Sequence, residues 1–284
     1  MEAETIVYYH PAQEQSPKQC RAKKHWWQDA VLQGIPVPGR IPQAADGQSP
    51  VTLVDCAVPP FYYRARAWKP EILSECMERV LHRADGMTDA VLHPQIMTWL
   101  SEKYAERWET CRETRKVLLE SLLTVYGAAC LREQGQAAVL LGSPEETQWQ
   151  MEMTWGLLEP YLSRINKLLF YYKVIEGTDI WEELSFHLEK YYYEYGLVPQ
   201  MMPYQIKKQK GPGGRQNLSG VILDYGGSAE GLGFAPDRPV VYVDMLSCPE
   251  KEQIFARKGG QILYVSPLNY LDTMVKNSYD RLVR

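Results

Sequence analysis

The feature that most constrains the fold is the alternation of short apolar runs with amphipathic segments over residues 135–284. Ala137–Leu141 and Gly220–Asp224 are continuous apolar runs, which are typical of strands buried on both faces. Between such runs, apolar residues recur at steps of three and four, the period of an α-helix. Strands that alternate with helices predict a parallel sheet. We therefore predict an α/β domain with a mostly parallel sheet of Rossmann-like or flavodoxin-like type.

Six strands are predicted in this domain, at residues 137–141, 167–175, 197–202, 220–224, 239–244 and 261–265. Two connections, residues 203–219 and 226–238, carry Gly, Pro and basic residues where crossover helices normally lie. The strand order is therefore open, and so is the direction of one strand. Ser143 and Glu146 have the spacing of a capping box at the start of the first crossover helix.

The first half of the chain has a different pattern of proline and apolar residues. Prolines are spread through residues 1–69, which predicts an irregular arm, because proline cannot sit inside a central strand. Two short apolar runs in this segment, Ile6–Tyr9 and Val51–Val54, are compatible with strands or with extended arms. Residues 70–134 have apolar positions at helical spacing and predict a helical region.

Composition excludes several classes of protein. The 284 residues have a net charge of −4, 45 % are hydrophobic and 23 % are charged, which excludes a disordered chain and argues against a globally basic nucleic-acid binder. No run approaches the length of a membrane span, and the N-terminus lacks the pattern of a signal peptide. The six cysteines form no CxxC pair and the five histidines are scattered. We therefore expect a cytoplasmic protein without a metal site.

The candidate site follows from the predicted sheet, since ligands of open α/β sheets bind beyond the carboxyl ends of the strands. The residues at or just after these ends are Gly142, Ser143, Asp224, Gly226, Gly227, Asp244 and Ser266. The first strand is not followed by a G-x-G-x-x-G sequence, so a dinucleotide fingerprint is missing. Pro144 also removes one backbone N–H from the turn that would hold a pyrophosphate. The cofactor, if one is used, is unknown.

Asp224 and Asp244 have two interpretations. If their strands are neighbours, the carboxylates could converge, raise one pKa and serve acid–base chemistry. Alternatively, each carboxylate accepts hydrogen bonds from the backbone of its own turn, as aspartate commonly does. The second interpretation is favoured, because no matched base, nucleophile or metal ligand accompanies them.

A basic, glycine-rich stretch offers a candidate site for phosphates or nucleic acid at Lys207, Lys208, Lys210 and Arg215. Such a loop could hold a phosphate backbone. It has no interleaved aromatic residues and belongs to an acidic protein, so a solvated loop is the favoured interpretation. Nucleic-acid binding is accordingly the least favoured alternative.

The aromatic residues are distributed unevenly. All 8 tryptophans lie at or before Trp181, which assigns the bulky anchors of a docking surface to the first part of the chain. On the helix that follows, Tyr191, Tyr192 and Tyr195 extend the predicted apolar stripe, whereas Tyr193 falls off it. These residues suggest contacts with a protein partner or with a second copy of the chain.

Three functions are compatible with these sequence features. The first is a cytoplasmic binding or interaction protein whose Rossmann-like domain lacks a dinucleotide fingerprint. The second is an enzyme or small-molecule binder with its site around Asp224 and Asp244. The third is nucleic-acid binding through the two basic segments at residues 18–27 and 207–215. No complete catalytic constellation is present, so the catalytic residues, and whether the chain is an enzyme at all, stay open.

Overall fold

The computed structural model describes residues 5–11, 35–41, 51–58, 70–83, 88–100, 108, 110–131, 135–173, 180–204, 217–218, 220–226, 233–234, 239–248, 251, 255 and 262–283. The chain divides into two compact units. Unit 1 comprises Met1–Leu118 and Leu271–Arg284, and unit 2 comprises Leu119–Tyr270. The predicted limits of the arm, the helical region and the α/β domain stay predictions.

Unit 1 contains a four-stranded sheet of β1 (Thr5–Pro11), β2 (Ile35–Ile41), β3 (Val51–Val58) and β4 (Thr88–Leu92). The strand order is β2-β3-β1-β4. Strands β3, β1 and β4 are parallel, and β2 runs antiparallel to β3. Residues 1–69, for which an irregular arm is predicted, thus contribute three strands.

The prolines of this segment are compatible with a sheet because of where they lie. Pro11 is the last residue of β1, so its missing N–H interrupts no further pairing. Pro36 and Pro38 belong to β2, which is an edge strand. An edge strand tolerates proline because one side of its backbone has no strand to bond. The apolar runs Ile6–Tyr9 and Val51–Val54 are parts of β1 and β3.

One face of the unit 1 sheet packs on helix α1 (Pro70–Leu81) and carries an apolar core. Two polar atoms in this core are satisfied: the Tyr9 hydroxyl donates to the Met77 carbonyl at 2.7 Å, and Trp108 Nε1 donates to Ser74 Oγ at 3.0 Å. Alternation along the strands then places Tyr8 and Asp55 on the opposite face. Both are buried.

Two helices follow β4. Helix α2 (Pro94–Met97) is a single turn, and α3 (Arg112–Leu122) continues into a π-helical turn at Leu123–Gly127. The prediction of a helical region over residues 70–134 is therefore wrong at β4, which is a strand within it, and turns at residues 98–99 interrupt the region again.

Unit 2 contains a six-stranded sheet whose neighbours are all parallel. Its strands are β5 (Gly135–Leu140), β6 (Ile165–Lys173), β7 (Gln200–Tyr204), β9 (Gly220–Asp224), β11 (Val240–Asp244) and β12 (Ile262–Val265). The two-residue strands β8 (Asn217–Leu218) and β10 (Gly233–Phe234) form a separate parallel pair. The α/β fold class is confirmed. The antiparallel strand that the connections left open does not occur in this sheet.

The order of the large sheet is β12-β11-β9-β5-β6-β7. If the strands are counted along the chain from β5 and the sheet is read from β7, their order is 3-2-1-4-5-6. This is the order of doubly wound Rossmann-type sheets. The order reverses between β5 and β9. This switch point is where such sheets ordinarily bind their ligand.

Helices α4 (Thr147–Leu158), α5 (Ile180–Tyr195) and α6 (Pro267–Val283) follow strands β5, β6 and β12. The predicted capping box at Ser143 is wrong. Ser143 makes no side-chain capping bond, and a 3₁₀ turn at Pro144–Glu146 precedes α4. The Glu146 N–H, which a capping box would bond to the Ser143 side chain, donates instead to the Ser143 carbonyl at 3.2 Å.

The tyrosines at the end of α5 also differ from prediction. Tyr191 is buried, whereas Tyr192 and Tyr195 are 55 % and 37 % exposed, and Tyr193 is 77 % exposed as predicted. Helical spacing sets which side chains share a face, but burial requires a neighbour to cover that face. Among the described residues, the Trp155 ring covers Tyr195 only in part, and Tyr192 stays mostly exposed.

Within the described residues, no helix is long and apolar enough to cross a membrane.

Candidate functional site

The carboxyl edge of the unit 2 sheet brings the predicted residues into one row. The register pairs Leu140 with Asp224 and Asp224 with Asp244. Ser266 directly follows Val265, which pairs with Val243. The strand ends thus place the two aspartates and Ser266 side by side, as expected for a parallel sheet.

Asp224 is fully buried and bonded through both carboxylate oxygens. Its Oδ1 accepts the backbone N–H of Gly226 at 2.9 Å. Its Oδ2 accepts hydrogen bonds from the Tyr242 hydroxyl and the Lys251 ammonium group. Burial raises the pKa of Asp224, while Lys251 and Tyr242 oppose the shift by stabilising the carboxylate.

Asp244 repeats this arrangement one strand further along. It is also fully buried, and its Oδ1 accepts the backbone N–H of Leu246 at 3.1 Å. Its Oδ2 accepts the Cys248 N–H at 2.6 Å and the Tyr264 hydroxyl at 2.7 Å. Each aspartate therefore fixes the turn after its own strand and binds a tyrosine from the next strand.

The repeated hydrogen-bond pattern favours turn stabilisation over acid–base chemistry for these carboxylates. Each carboxylate accepts hydrogen bonds from its own set of donors, so neither is free to accept a proton from a substrate. Asp244 still contributes, through its charge, to the raised pKa of Asp224. In this geometry, Asp224 and Asp244 hold in place the turns that follow β9 and β11.

The switch point between β5 and β9 is closely packed. A Cβ atom on Gly142 would lie 1.9 Å from the carbonyl oxygen of Tyr225, so the two backbones touch there. Gln150, which is fully buried, accepts the Gly142 N–H at 2.9 Å and donates to the Ser143 carbonyl at 3.2 Å. The N–H that a pyrophosphate would need at Gly142 is therefore already bonded.

Tyr225 completes this packing. Its ring is buried, and its hydroxyl lies 2.9 Å from Thr154 Oγ1 on α4. The Trp149 ring meets it edge-on, with ring centroids 5.6 Å apart. Burial raises the pKa of the Tyr225 hydroxyl, which keeps it in the neutral form.

Ser266 caps a helix rather than facing a cleft. It is buried, and its Oγ accepts the Asn269 N–H at 3.3 Å at the start of α6. Gly226 has a φ of +96°, a left-handed conformation that glycine adopts without steric cost. Gly227 lies outside the described residues, as do Lys207, Lys208, Lys210 and Arg215, so those site predictions stay predictions.

Sequence reasoning missed a polar cluster in unit 1. His10 ends the β1 run and its Nε2 lies 2.5 Å from Asp55 Oδ1. His93 follows β4, and its backbone N–H donates to the Tyr9 carbonyl at 2.9 Å, which extends the β1–β4 pairing. The Tyr8 hydroxyl donates to Asp272 Oδ1 at 2.7 Å.

A signal for this cluster is present in the sequence. Both histidines stand in His-Pro dipeptides that close short apolar runs, at Tyr8–Pro11 and at Val91–Pro94. The rule that ligands bind at the carboxyl ends of strands applies to these runs as well. An irregular arm over residues 1–69 and a helical region over residues 70–134, however, predict no strand end at either histidine.

No cluster of three or more His, Cys, Asp or Glu side chains among the described residues is arranged to hold a metal ion. Cys56, Cys111 and Cys130 are free thiols.

No protein-family model matches the sequence, and no curated protein matches it either.

Proposed function

We propose that this chain is a cytoplasmic protein-interaction module, whose Rossmann-like unit binds a basic segment of a protein partner rather than a dinucleotide. The observation that carries the proposal is an exposed aromatic surface at the end of α5, formed by Tyr192, Tyr193, Tyr195 and Val198 and called the tyrosine surface below. Val198 is 66 % exposed and Tyr193 is 77 % exposed. Exposed apolar clusters of this kind commonly mark binding sites.

Tyrosine is suited to such a contact because its ring contributes area with little loss of conformational entropy on binding. The rings of Tyr192 and Tyr193 meet edge-on, 5.5 Å apart. Tyr195 packs on Trp155 at 5.6 Å. The rings therefore support one another on a helical scaffold, and this preorganisation lowers the cost of binding.

The charges around the tyrosine surface favour a basic partner. Glu159, Glu189 and Glu194 are exposed beside it. The nearby cation, Lys190, lies over the Trp155 ring at 3.9 Å. An acidic rim attracts a basic segment and repels a second copy of the same surface.

The strand-end residues support this proposal over the alternative of an enzyme site around Asp224 and Asp244. Both carboxylates are bonded on both oxygens, and Gly142 packs against Tyr225 at the switch point. The free thiols of the described residues support the cytoplasmic location, since disulfides are rare there.

The test compares three full-length proteins as bait in an extract of the source cells: wild type, the double variant Tyr192→Ser/Tyr193→Ser, and the matched control Leu263→Ser. Leu263 is 47 % exposed on β12 and lies outside the tyrosine surface. Captured proteins are then purified and their affinity is measured by calorimetry at low and high salt.

We expect a partner whose affinity falls at least about tenfold with the double variant, is unchanged with Leu263→Ser and weakens at high salt. Equal capture by the double variant and wild type would contradict the proposal. A salt-insensitive partner, or sedimentation showing a dimer that the double variant abolishes, would contradict the basic partner.

A further inference from the structure

The unit 1 sheet has its own topological switch point. Strand β1 lies between β3 and β4, and the three are parallel. The chain passes from β1 to β3 on one side and then to β4 on the other. Ligands of open α/β sheets bind at the carboxyl ends of the two strands that flank such a point. The residues at these ends are His10 and His93.

Both ring nitrogens of His10 make contacts within unit 1. Its Nε2 lies 2.5 Å from Asp55 Oδ1 and its Nδ1 lies 3.0 Å from the Pro11 carbonyl. Both neighbours are acceptors, so both ring nitrogens carry protons and the ring is a cation. The positive charge of His10 is therefore neutralised by Asp55.

His93 is arranged differently. Its Nδ1 accepts the backbone N–H of Gln95 at 3.1 Å, so in the neutral ring the proton sits on Nε2. Burial and the charge of His10 lower the pKa of His93, while Asp272 opposes them. At neutral pH His93 thus presents an uncharged N–H donor. Such a donor suits a carbonyl oxygen rather than an anion.

Asp272 supplies the complementary acceptor. It is exposed at the start of the unit 1 part of α6, and its Oδ1 accepts the Tyr8 hydroxyl at 2.7 Å. Among the described residues, Oδ2 of Asp272 and Nε2 of His93 have no hydrogen-bond partner. The Tyr8 ring stacks on His10, with centroids 5.2 Å apart, and so links Asp272 to the strand end.

We propose that the carboxyl edge of unit 1 binds a small uncharged hydroxycarbonyl compound, with its carbonyl oxygen on His93 Nε2 and a hydroxyl group on Asp272. The formal charges of His10, Asp55 and Asp272 leave one negative charge beside a neutral His93. This balance disfavours phosphorylated and carboxylated ligands. The site is separate from the tyrosine surface and does not depend on the interaction proposed above.

The unit 2 switch point offers a comparison. There the strand-end backbone is sealed by Gly142 and Gln150, whereas the unit 1 edge presents a half-buried His93 and an exposed Asp272. Among the described residues, the backbone at the unit 2 switch point is thus bonded internally, whereas the strand ends of unit 1 carry accessible polar groups.

The experiment follows the ring nitrogens of ¹⁵N-histidine-labelled full-length protein by NMR while dihydroxyacetone is added to about 50 mM, a range that covers the weak affinity expected of so small a ligand. Acetone, which lacks the hydroxyl, and dihydroxyacetone phosphate, which is an anion, are titrated in parallel. We expect a saturable shift of the His93 Nε2 signal with dihydroxyacetone, and binding at least about tenfold weaker with each of the other two probes.

Two variants test the assigned groups. His93→Asn keeps an oxygen that can accept the Gln95 N–H and cap α2, but removes the ring. Asp272→Asn keeps an oxygen for the Tyr8 hydroxyl, but removes the carboxylate. Each should weaken dihydroxyacetone binding at least about tenfold, while His82→Asn, at an exposed histidine, should leave it unchanged.

Circular dichroism and the remaining histidine signals report whether each variant is folded. The proposal is overturned if dihydroxyacetone causes no saturable shift, if the phosphate ester binds more tightly, or if the folded His93→Asn protein binds as well as wild type.

Discussion

Nε2 of His10 and Oδ1 of Asp55 lie 2.5 Å apart although 45 residues separate them in the chain. The side chains of His10 and Asp55 are 15 % and 2 % exposed. This buried ion pair joins the two neighbouring strands β1 and β3 on the face of the sheet that also carries Tyr8. Its charge state couples the stability of unit 1 to pH.

The first prediction concerns that coupling. Burial of His10 lowers its pKa, but the hydrogen bond and charge of Asp55, together with the Pro11 carbonyl and the charge of Asp272, outweigh burial, and the pKa is raised. A raised histidine pKa stabilises the fold fully below the ordinary value of 6.5, and this stabilisation is lost as pH rises through the raised value. Urea unfolding of wild type between about pH 5 and pH 9 should show this fall in stability.

Asp55→Asn should abolish this fall in stability with rising pH and cost about 3 kcal/mol at neutral pH, because breaking a buried pair leaves its partner buried without compensation. The exposed His82 provides the control, since His82→Asn should leave the pH profile unchanged. Equal profiles for wild type and Asp55→Asn would show that His10 is not a cation in the folded protein.

The second prediction concerns Lys251. Its ammonium group is the cation bonded to the fully buried Asp224. Lys251→Met should destabilise unit 2 by about 3 kcal/mol at neutral pH, since it leaves a buried carboxylate without its counter-charge. Guanidinium unfolding measures the loss, and Lys251→Arg, which keeps a cation, should recover part of it.

The pH dependence of Lys251→Met has a defined sign. Burial already raises the pKa of Asp224, and loss of Lys251 raises it further. A raised aspartate pKa means that stability is present at low pH and falls as pH rises through the folded-state value. The variant should therefore lose more stability at about pH 8 than at about pH 5. A constant loss across this range would exclude ionisation of Asp224 as its cause.

The third prediction uses two glycines. Gly142→Ala should cost about 3 kcal/mol, because its Cβ would lie 1.9 Å from the Tyr225 carbonyl oxygen and the backbone would have to move. Gly196 has a φ of +64°, and no atom lies within 4 Å of the position that a Cβ would occupy, so Gly196→Asn should cost less than about 1 kcal/mol. Thermal unfolding of both variants measures the contrast, and similar losses would contradict the close approach at the switch point.

The fourth prediction concerns the buried Tyr191 hydroxyl, which has no hydrogen-bond partner among the described residues. Tyr191→Phe should leave stability unchanged or raise it by up to about 1 kcal/mol, because an unpaired buried polar group is removed. Tyr191→Ala should cost about 3 to 5 kcal/mol through lost packing. Tyr192→Ala, at a 55 % exposed ring, should stay within about 0.5 kcal/mol of wild type.

Denaturant unfolding of these three variants separates the hydroxyl from the ring. Destabilisation by Tyr191→Phe would reveal a hydrogen bond to that hydroxyl.

The parallel sheet of unit 2 can be predicted from the sequence, because the pattern that marks each strand or helix lies within a short segment of the chain. Apolar runs such as Ala137–Leu141 and Gly220–Asp224 mark strands buried on both faces, and the helical period between them marks the crossovers. The same reasoning failed for residues 1–69, where prolines obscured β1 and β3. Proline lowers the probability of a strand, but it does not exclude an edge strand or a strand end.

By itself, the sequence determined the α/β class, the positions of six strands and the row of residues at their carboxyl ends, since these depend on short-range periodicity. Tertiary structure alone decided the strand order, the use of Asp224 and Asp244 as internal acceptors, and the pairing of His10 with Asp55. Those properties depend on which distant segments meet and on how many donors surround each carboxylate. A hydrogen bond between residues that are 18 to 45 positions apart produces no periodic pattern in the sequence.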